Sequence, residues 1–313
     1  MKTALNRSQL VRFSSANPNA PYGVDPQLTF YCPQENLDAL DLPVVRRFLT
    51  WAQTEYQPPP ADGPAVLLLL PCQKVKPYAL SAEHRAINAH LIARGFGPSG
   101  RGDWPDQLSA LAPEALLSNA SLKGRGLRID RAVISEPFGF VPHSAMYRWK
   151  NRLSPCAQYD DPGLFEHRGL ACPWRSDSTA LAHDGHWRWG DNERASYVEV
   201  HKRIAESMAK TLGRIAPRYE AIYAYVAPAM THRSFLVDRA ERKAAGLALA
   251  RQVGSQMRAL VGVNDIVPGL VRVIPDARQL ARLRRRMGGR LPSKLLSTNA
   301  ALELLTTTIG GAR

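Results

Sequence analysis

Apolar residues are clustered in this chain at two spacings. AVLLLLP, residues 65–71, is apolar without a break and is bounded by proline and glycine. A continuous short run of this kind suits a central strand covered on both faces. IDRAVISEP (129–137), YEAIYAYVAP (219–228) and GLVRVIP (269–275) are further strand candidates. Between them, apolar positions recur every three or four residues from Ser81 to Ala93, Asp106 to Ser121, Asn192 to Ile215 and Arg239 to Leu260, which predicts helices. Strands alternating with helices imply βαβ units. The expected fold is a three-layer α/β/α domain with a mostly parallel central sheet.

The flanks read differently. Residues 1–30 lack periodicity and are expected to form an irregular arm. Residues 36–56 have helical spacing, interrupted by Pro43, and QPPPADGP (57–64) reads as a linker. The stretch from Tyr159 to Gly190, rich in Asp, His, Gly and Trp, reads as a long functional loop or lid. This divides the chain into an N-terminal arm and helix (1–60), an α/β catalytic core (61–275) and a basic, helical C-terminal extension (276–313).

Charge narrows the partners. The chain of 313 residues carries a formal charge of +14, which favours polyanions such as nucleic acid. From Arg272 to Arg313 there are nine Lys/Arg against two Asp/Glu, concentrated in ARLRRRMGGRLPSK (281–294). Arg282, Arg284, Arg285, Arg286 and Arg290 are therefore candidate phosphate contacts. HWRWG (186–190) sets Arg188 between two tryptophans, a pattern that suits an unpaired base, although anchoring the lid would use the same tryptophans. His232 and Arg233 follow the third strand and are candidate contacts to substrate or phosphate.

No stretch reaches 18 consecutive apolar residues. No membrane span and a cytoplasmic location are expected. The four cysteines are far apart and read as reduced thiols rather than a disulfide framework. No cofactor is expected. Zinc would need Cys156, His167, Cys172, His183 and His186, with Cys32 joining through space, and spacings of 11, 5, 11 and 3 match no familiar zinc pattern.

The richest chemistry lies in PCQKVKPYALSAEH, residues 71–84. Cys72 follows the first strand, and ligands of open α/β sheets bind at the carboxyl ends of strands. Lys74, Lys76 and a helix starting near Ser81 would favour thiolate there. A small buried hydrophobe is the alternative reading of Cys72.

Pro71, Cys72, Lys76, Pro77, Tyr78, Ser81 and His84 fit the pattern P-C-x3-K-P-Y-x2-S-x2-H. This resembles the signature of the archaeosine synthase core-domain family. VISEPFGFVPHSAMY (133–147) resembles that family's strand and Pro-x-Gly-x-Val-Pro turn, and PCAQYDDP (155–162) its Tyr-Asp-x-Pro segment. The resemblance covers roughly residues 64–260. It includes neither the transglycosylase-like region nor the RNA-binding domain that usually flank that core. In this the chain looks more like the stand-alone bacterial proteins of 7-deazaguanine DNA-modification clusters.

The resemblance implies chemistry on a nitrile, the hydration of 7-cyano-7-deazaguanine in DNA to 7-amido-7-deazaguanine. DNA carrying the cyano base is then the partner, with other DNA-modification proteins as further partners. The alternatives are an amidine-forming enzyme on DNA or tRNA, and a non-catalytic nucleic-acid-binding module. On the nitrile reading Cys72 is the nucleophile, and Asp161 or His84 supplies the proton. Lys76, Tyr78, Ser81, Asp160 and His232 bind substrate, and Glu136 meets the guanine-like edge.

Overall fold

The computed structural model describes residues 6–60 and 62–311. The central sheet has seven strands: β1 (Ala65–Pro71), β2 (Gly97–Pro98), β3 (Leu122–Gly124), β4 (Leu127–Ser135), β5 (Gly139–Pro142), β6 (Ala221–Tyr225) and β7 (Arg272–Ile274). Their order is β7-β6-β1-β4-β3-β2, with β5 also on β4. The four strands β7, β6, β1 and β4 are parallel. The outer edge of β4 is shared: β3 pairs antiparallel with its first half and β5 with its second. The expected mostly parallel sheet is thus present, with antiparallel strands at one edge.

β1 lies inside the sheet, and its continuous apolar run serves both faces. Leu67 and Leu69 enter one core layer with Tyr197, Val200, Ile204, Met208 and Leu212 of the long helix Asp191–Ile215. Val66, Leu68 and Leu70 enter the other, with Ile87 and Leu91 of the helix Ala82–Ala93 and Leu302, Leu305 and Ile309 of the helix Asn299–Gly310. Besides the single-turn helices Glu114–Leu117 and Val263–Ile266, the helices in chain order are α1 (Arg7–Ser15), α2 (Pro33–Ala39), α3 (Pro43–Thr54), α4 (Ala82–Ala93), α5 (Asp191–Ile215), α6 (Thr231–Ser234), α7 (Arg239–Ala244), α8 (Ala277–Arg286) and α9 (Asn299–Gly310). α8 and α9 form part of the second layer, through Leu280, Leu283, Leu302, Leu305 and Ile309. No helix among the described residues is long and apolar enough to cross a membrane.

Several expected elements take another form. The arm before residue 30 contains α1, started by a reciprocal Asn6–Gln9 capping box. The 36–56 pattern splits into α2 and α3, each opening on a proline in its first turn. Asp106–Ser121 holds only the short turns Asp106–Leu108 and Glu114–Leu117, because Pro113 removes a donor and stops continuation. The 239–260 pattern ends after α7. Gly246 and Gly254, both at positive φ, turn the chain into a hairpin of Ala250–Val253 and Gln256–Ala259.

The N-terminal arm also fixes the segment that carries Asp160 and Asp161. Asp160 N–H donates to the Leu28 carbonyl at 3.0 Å, and Gly163 N–H to that of Phe30 at 2.9 Å. The two chains approach so closely at Gly163 that an added Cβ would lie 2.0 Å from the Tyr31 carbonyl carbon. Gly163→Ala therefore pushes backbone against backbone, and a loss of about 3 kcal/mol is expected in urea unfolding. A change near zero would contradict this close approach.

Candidate active site

Three neighbouring parallel strands end at one edge, and each delivers one side chain to the same point. Cys72 follows β1, Glu136 follows β4 and His232 lies on α6 just after β6. Cys72 Sγ is 3.1 Å from His232 Nε2 and 3.5 Å from Glu136 Oε2. His232 Nε2 is 3.5 Å from the same carboxylate oxygen. The backbone holds the thiol in place: Cys72 N–H donates to the Ile134 carbonyl of β4 at 3.0 Å.

These groups set one another's protonation. Burial raises the Cys72 thiol, and the nearby charge on His232 only partly opposes it. Burial alone would lower His232, but Glu136 and Cys72 outweigh it and hold the imidazole well above its ordinary value. Burial would raise Glu136, but His232 more than offsets this and keeps it below the ordinary carboxylate range. The resting cluster is therefore a thiol, an imidazolium and a carboxylate. Glu136 Oε2 stands ready to accept the thiol proton, while Glu136 Oε1 and His232 Nδ1 are buried without a partner.

Cys72 opens onto a cavity of about 360 Å³, at the small end of ligand sites. Gln73, Lys76, Asp160, Asp161, Phe165 and Thr231 are among its walls, with Lys74, His167 and Arg168 exposed at the rim. Asp161 is 5% exposed and its Oδ2 has no partner, so the carboxyl can turn only to what enters the cavity. Burial, and then the negative charge of Glu136, push it up to about 8, with Lys76 and Arg168 pulling the other way and Asp160 adding to the rise. At neutral pH it carries a proton. Asp160 is tied down by Ser14 Oγ, which donates to it at 2.8 Å. The Lys76 ammonium lies 4.3 Å from the Tyr159 ring centroid and donates to the Gln73 carbonyl at 2.5 Å.

The structure thus gathers Cys72, Glu136, His232, Asp161, Asp160 and Lys76. It places others elsewhere. His84 is fully buried behind the end of β1, with Nε2 on the Pro71 carbonyl at 2.9 Å and a pKa lowered to about 4 by burial. It supports the strand end and does not reach the cavity. Ser81 caps α4, accepting the His84 N–H at 3.1 Å. The Tyr78 hydroxyl is engaged at 3.0 Å with Ser135 and 3.1 Å with Tyr159, so its ring packs in the core rather than against a ligand. Glu136 has no exposed surface and backs Cys72 instead of lining the wall, so the expected contact with a guanine-like edge does not form there. Arg233 is corrected as well. It has no exposed surface, donates to the Pro275 carbonyl at 2.9 Å and pairs with Glu241 at 2.6 Å, and cannot meet a phosphate. Arg188, Arg282, Arg284, Arg285, Arg286 and Arg290 are exposed.

The cation-ligand possibilities also change. Among the described residues, Cys156, His167, Cys172, His183 and His186 do not come together at metal-ligand spacing. Cys172 instead meets Cys32 and Glu35 in the N-terminal region, with their ligand atoms within 4.8 Å of one another. Cys72, Glu136 and His232 share that spacing. Residues missed in the sequence are Phe165 and Arg168, which wall the cavity beside His167, a residue read there as a possible zinc ligand. The signal available for them was their place four and seven residues beyond Asp161.

Comparison with protein-family models, with curated proteins and with solved structures finds no match to this chain.

Proposed function

We propose that the protein hydrates a nitrile through a covalent bond to Cys72, and that the substrate is 7-cyano-7-deazaguanine in DNA. The observation that carries this reading is the meeting of Cys72, His232 and Glu136 at one point on the wall of a cavity that also holds a protonated carboxyl. A nitrile carbon is a weak electrophile, and addition of sulfur requires a proton at nitrogen as charge builds there.

The steps follow from these positions. The Cys72 thiol gives its proton to Glu136 and sulfur bonds to the nitrile carbon. Asp161 protonates the nitrogen, leaving a thioimidate. Asp161, now a carboxylate, takes a proton from water as the water oxygen adds to the same carbon and passes it to the nitrogen; the remaining hydroxyl proton then goes to Asp161. The carbon–sulfur bond breaks as the amide forms, and Glu136 returns the proton to sulfur. His232 stays charged and steadies both the thiolate and the Glu136 carboxylate. One water is consumed, and every catalytic group ends as it began.

The +14 charge supports a polyanionic substrate. The cavity has room for one base and not for a duplex, so the base must leave the stack.

Mass spectrometry of nucleosides tests the reading. DNA and tRNA carrying the cyano base are incubated with the protein without an amine donor. A gain of one water on DNA is expected. No product until ammonia or an amine is supplied would point to the amidine-forming reaction. Turnover that disappears with a chelator and returns with zinc would make Cys72 a metal ligand rather than a nucleophile.

A further inference from the structure

We propose that a second cleft beside the Cys72 cavity is a track for single-stranded nucleic acid, which receives the nucleotide next to the target base. The inference rests on the polymeric substrate proposed above. The cleft has a volume of about 370 Å³ and shares His167 and Arg168 with the Cys72 cavity, so the two lie side by side across these residues. Its far wall is the hairpin of Leu181–His183 and His186–Arg188.

The chemistry of the path suits a phosphate backbone with an unstacked base. His167, Arg168, His183, His186 and Arg188 are all exposed along it. Its two acids are engaged: Glu166 by Arg194 and Arg251, each at 3.6 Å, and Asp184 by His183 at 3.3 Å. With the two arginines that hold Glu166, arginines at the cleft outnumber acids four to two. Trp187 is half-buried in the cleft, and its backbone N–H donates to the Gly169 carbonyl at 2.9 Å. It presents a ring for stacking, which tolerates any base. The Arg168 guanidinium lies 4.3 Å from the Phe165 ring centroid, at the junction of the two cavities.

The hairpin is fixed at its root. Trp189 is buried, and its Nε1–H donates to the Leu170 carbonyl at 2.9 Å. The two tryptophans of HWRWG therefore divide the work, Trp189 anchoring the hairpin and Trp187 facing the cleft.

The arginines of α8 are less suited to this role. α8 starts just after β7 and runs back from the carboxyl edge, so Arg284, Arg285 and Arg286 sit in its last turn. A helix rises 1.5 Å per residue, which puts them roughly 12 Å from that edge.

Fluorescence anisotropy of a labelled 12-nucleotide single strand, titrated with KCl, tests the track without requiring turnover. Arg188→Glu is expected to weaken binding at least about fivefold and to flatten the salt dependence by about one ion. Trp187→Ala is expected to weaken it about tenfold. Arg285→Glu is expected to change it less than about twofold. Unchanged far-ultraviolet circular dichroism in each variant separates these losses from unfolding. A strand containing 4-thiothymidine beside the target base should crosslink to residues 165–188. The track is overturned if Arg285→Glu carries the loss while the hairpin variants bind normally, or if crosslinks fall on α8. It is also overturned if a duplex binds as tightly through the same residues. Absence of nitrile turnover with the binding pattern intact would sink the proposed reaction and leave the track standing.

Discussion

Replacing Cys72 with alanine or serine is expected to abolish product formation, a loss of at least about 10⁴-fold, with DNA binding and folding intact. Serine keeps the shape but not the chemistry. A hydroxyl is far less acidic than a thiol, and a single carboxylate at 3.5 Å from Sγ is too weak a base to ionise it. The wild-type protein should show the complementary signal. Quenched in acid during turnover, it should carry the mass of one substrate on Cys72, and the alanine variant should carry none. Glu136→Gln isolates the base: sulfur remains, but its proton has no acceptor, and a fall of about 10² to 10³ is expected in kcat. Cys72→Ala that retains more than a few per cent of turnover would end the covalent reading. The binding-module alternative predicts no product from either protein and the same DNA affinity for both, since binding through the hairpin or α8 needs no thiol.

The sheet was legible because its strands are buried on both faces. Burial of that kind writes itself as an unbroken apolar run, and AVLLLLP became β1 from Ala65 to Pro71 without adjustment. From that strand the position of Cys72 follows, and with it the positions of Glu136 and His232 at the ends of neighbouring strands. What could not be read was which of these side chains touch. Glu136 was assigned to substrate and His84 to proton transfer. Burial reversed this, because Glu136 turns behind Cys72 while His84 spends its Nε2 on the Pro71 carbonyl. Spacing alone cannot report the direction in which a side chain leaves the end of a strand. Arg233 shows the same limit. Next to a charged surface it looks like a phosphate contact, yet the carbonyls of Val226 and Pro275 and the carboxylate of Glu241 enclose it. Helical periodicity failed where glycine or proline overrode it, at Pro113 and at the Gly254 turn.

Asp161 ties the pH dependence of the reaction to that of the fold. Its carboxyl has to be protonated when substrate binds, and its proton is lost near pH 8. kcat/KM is therefore expected to be level from about pH 6 to 7.5 and to fall tenfold per unit once pH passes about 8. Asp161→Asn, which can neither donate that proton nor take one from water, should lie about 10³-fold below wild type and show no fall near pH 8. The same shift acts on stability with a definite sign. The folded pKa of about 8 lies above the ordinary value of 3.8, so the fold favours the neutral carboxyl. Its contribution is complete below about pH 4 and is lost as pH rises towards 8, because the unfolded chain ionises throughout that window and the folded chain does not. The asparagine variant removes this term. Measured by urea unfolding, it should gain stability relative to wild type between pH 5 and pH 8.5, about 1 kcal/mol or more. A variant whose stability tracks wild type across that range would mean that Asp161 is already ionised in the fold. Glu136 and Asp161 would then place two negative charges beside the thiol, and the proton for the nitrile would have to come from His232.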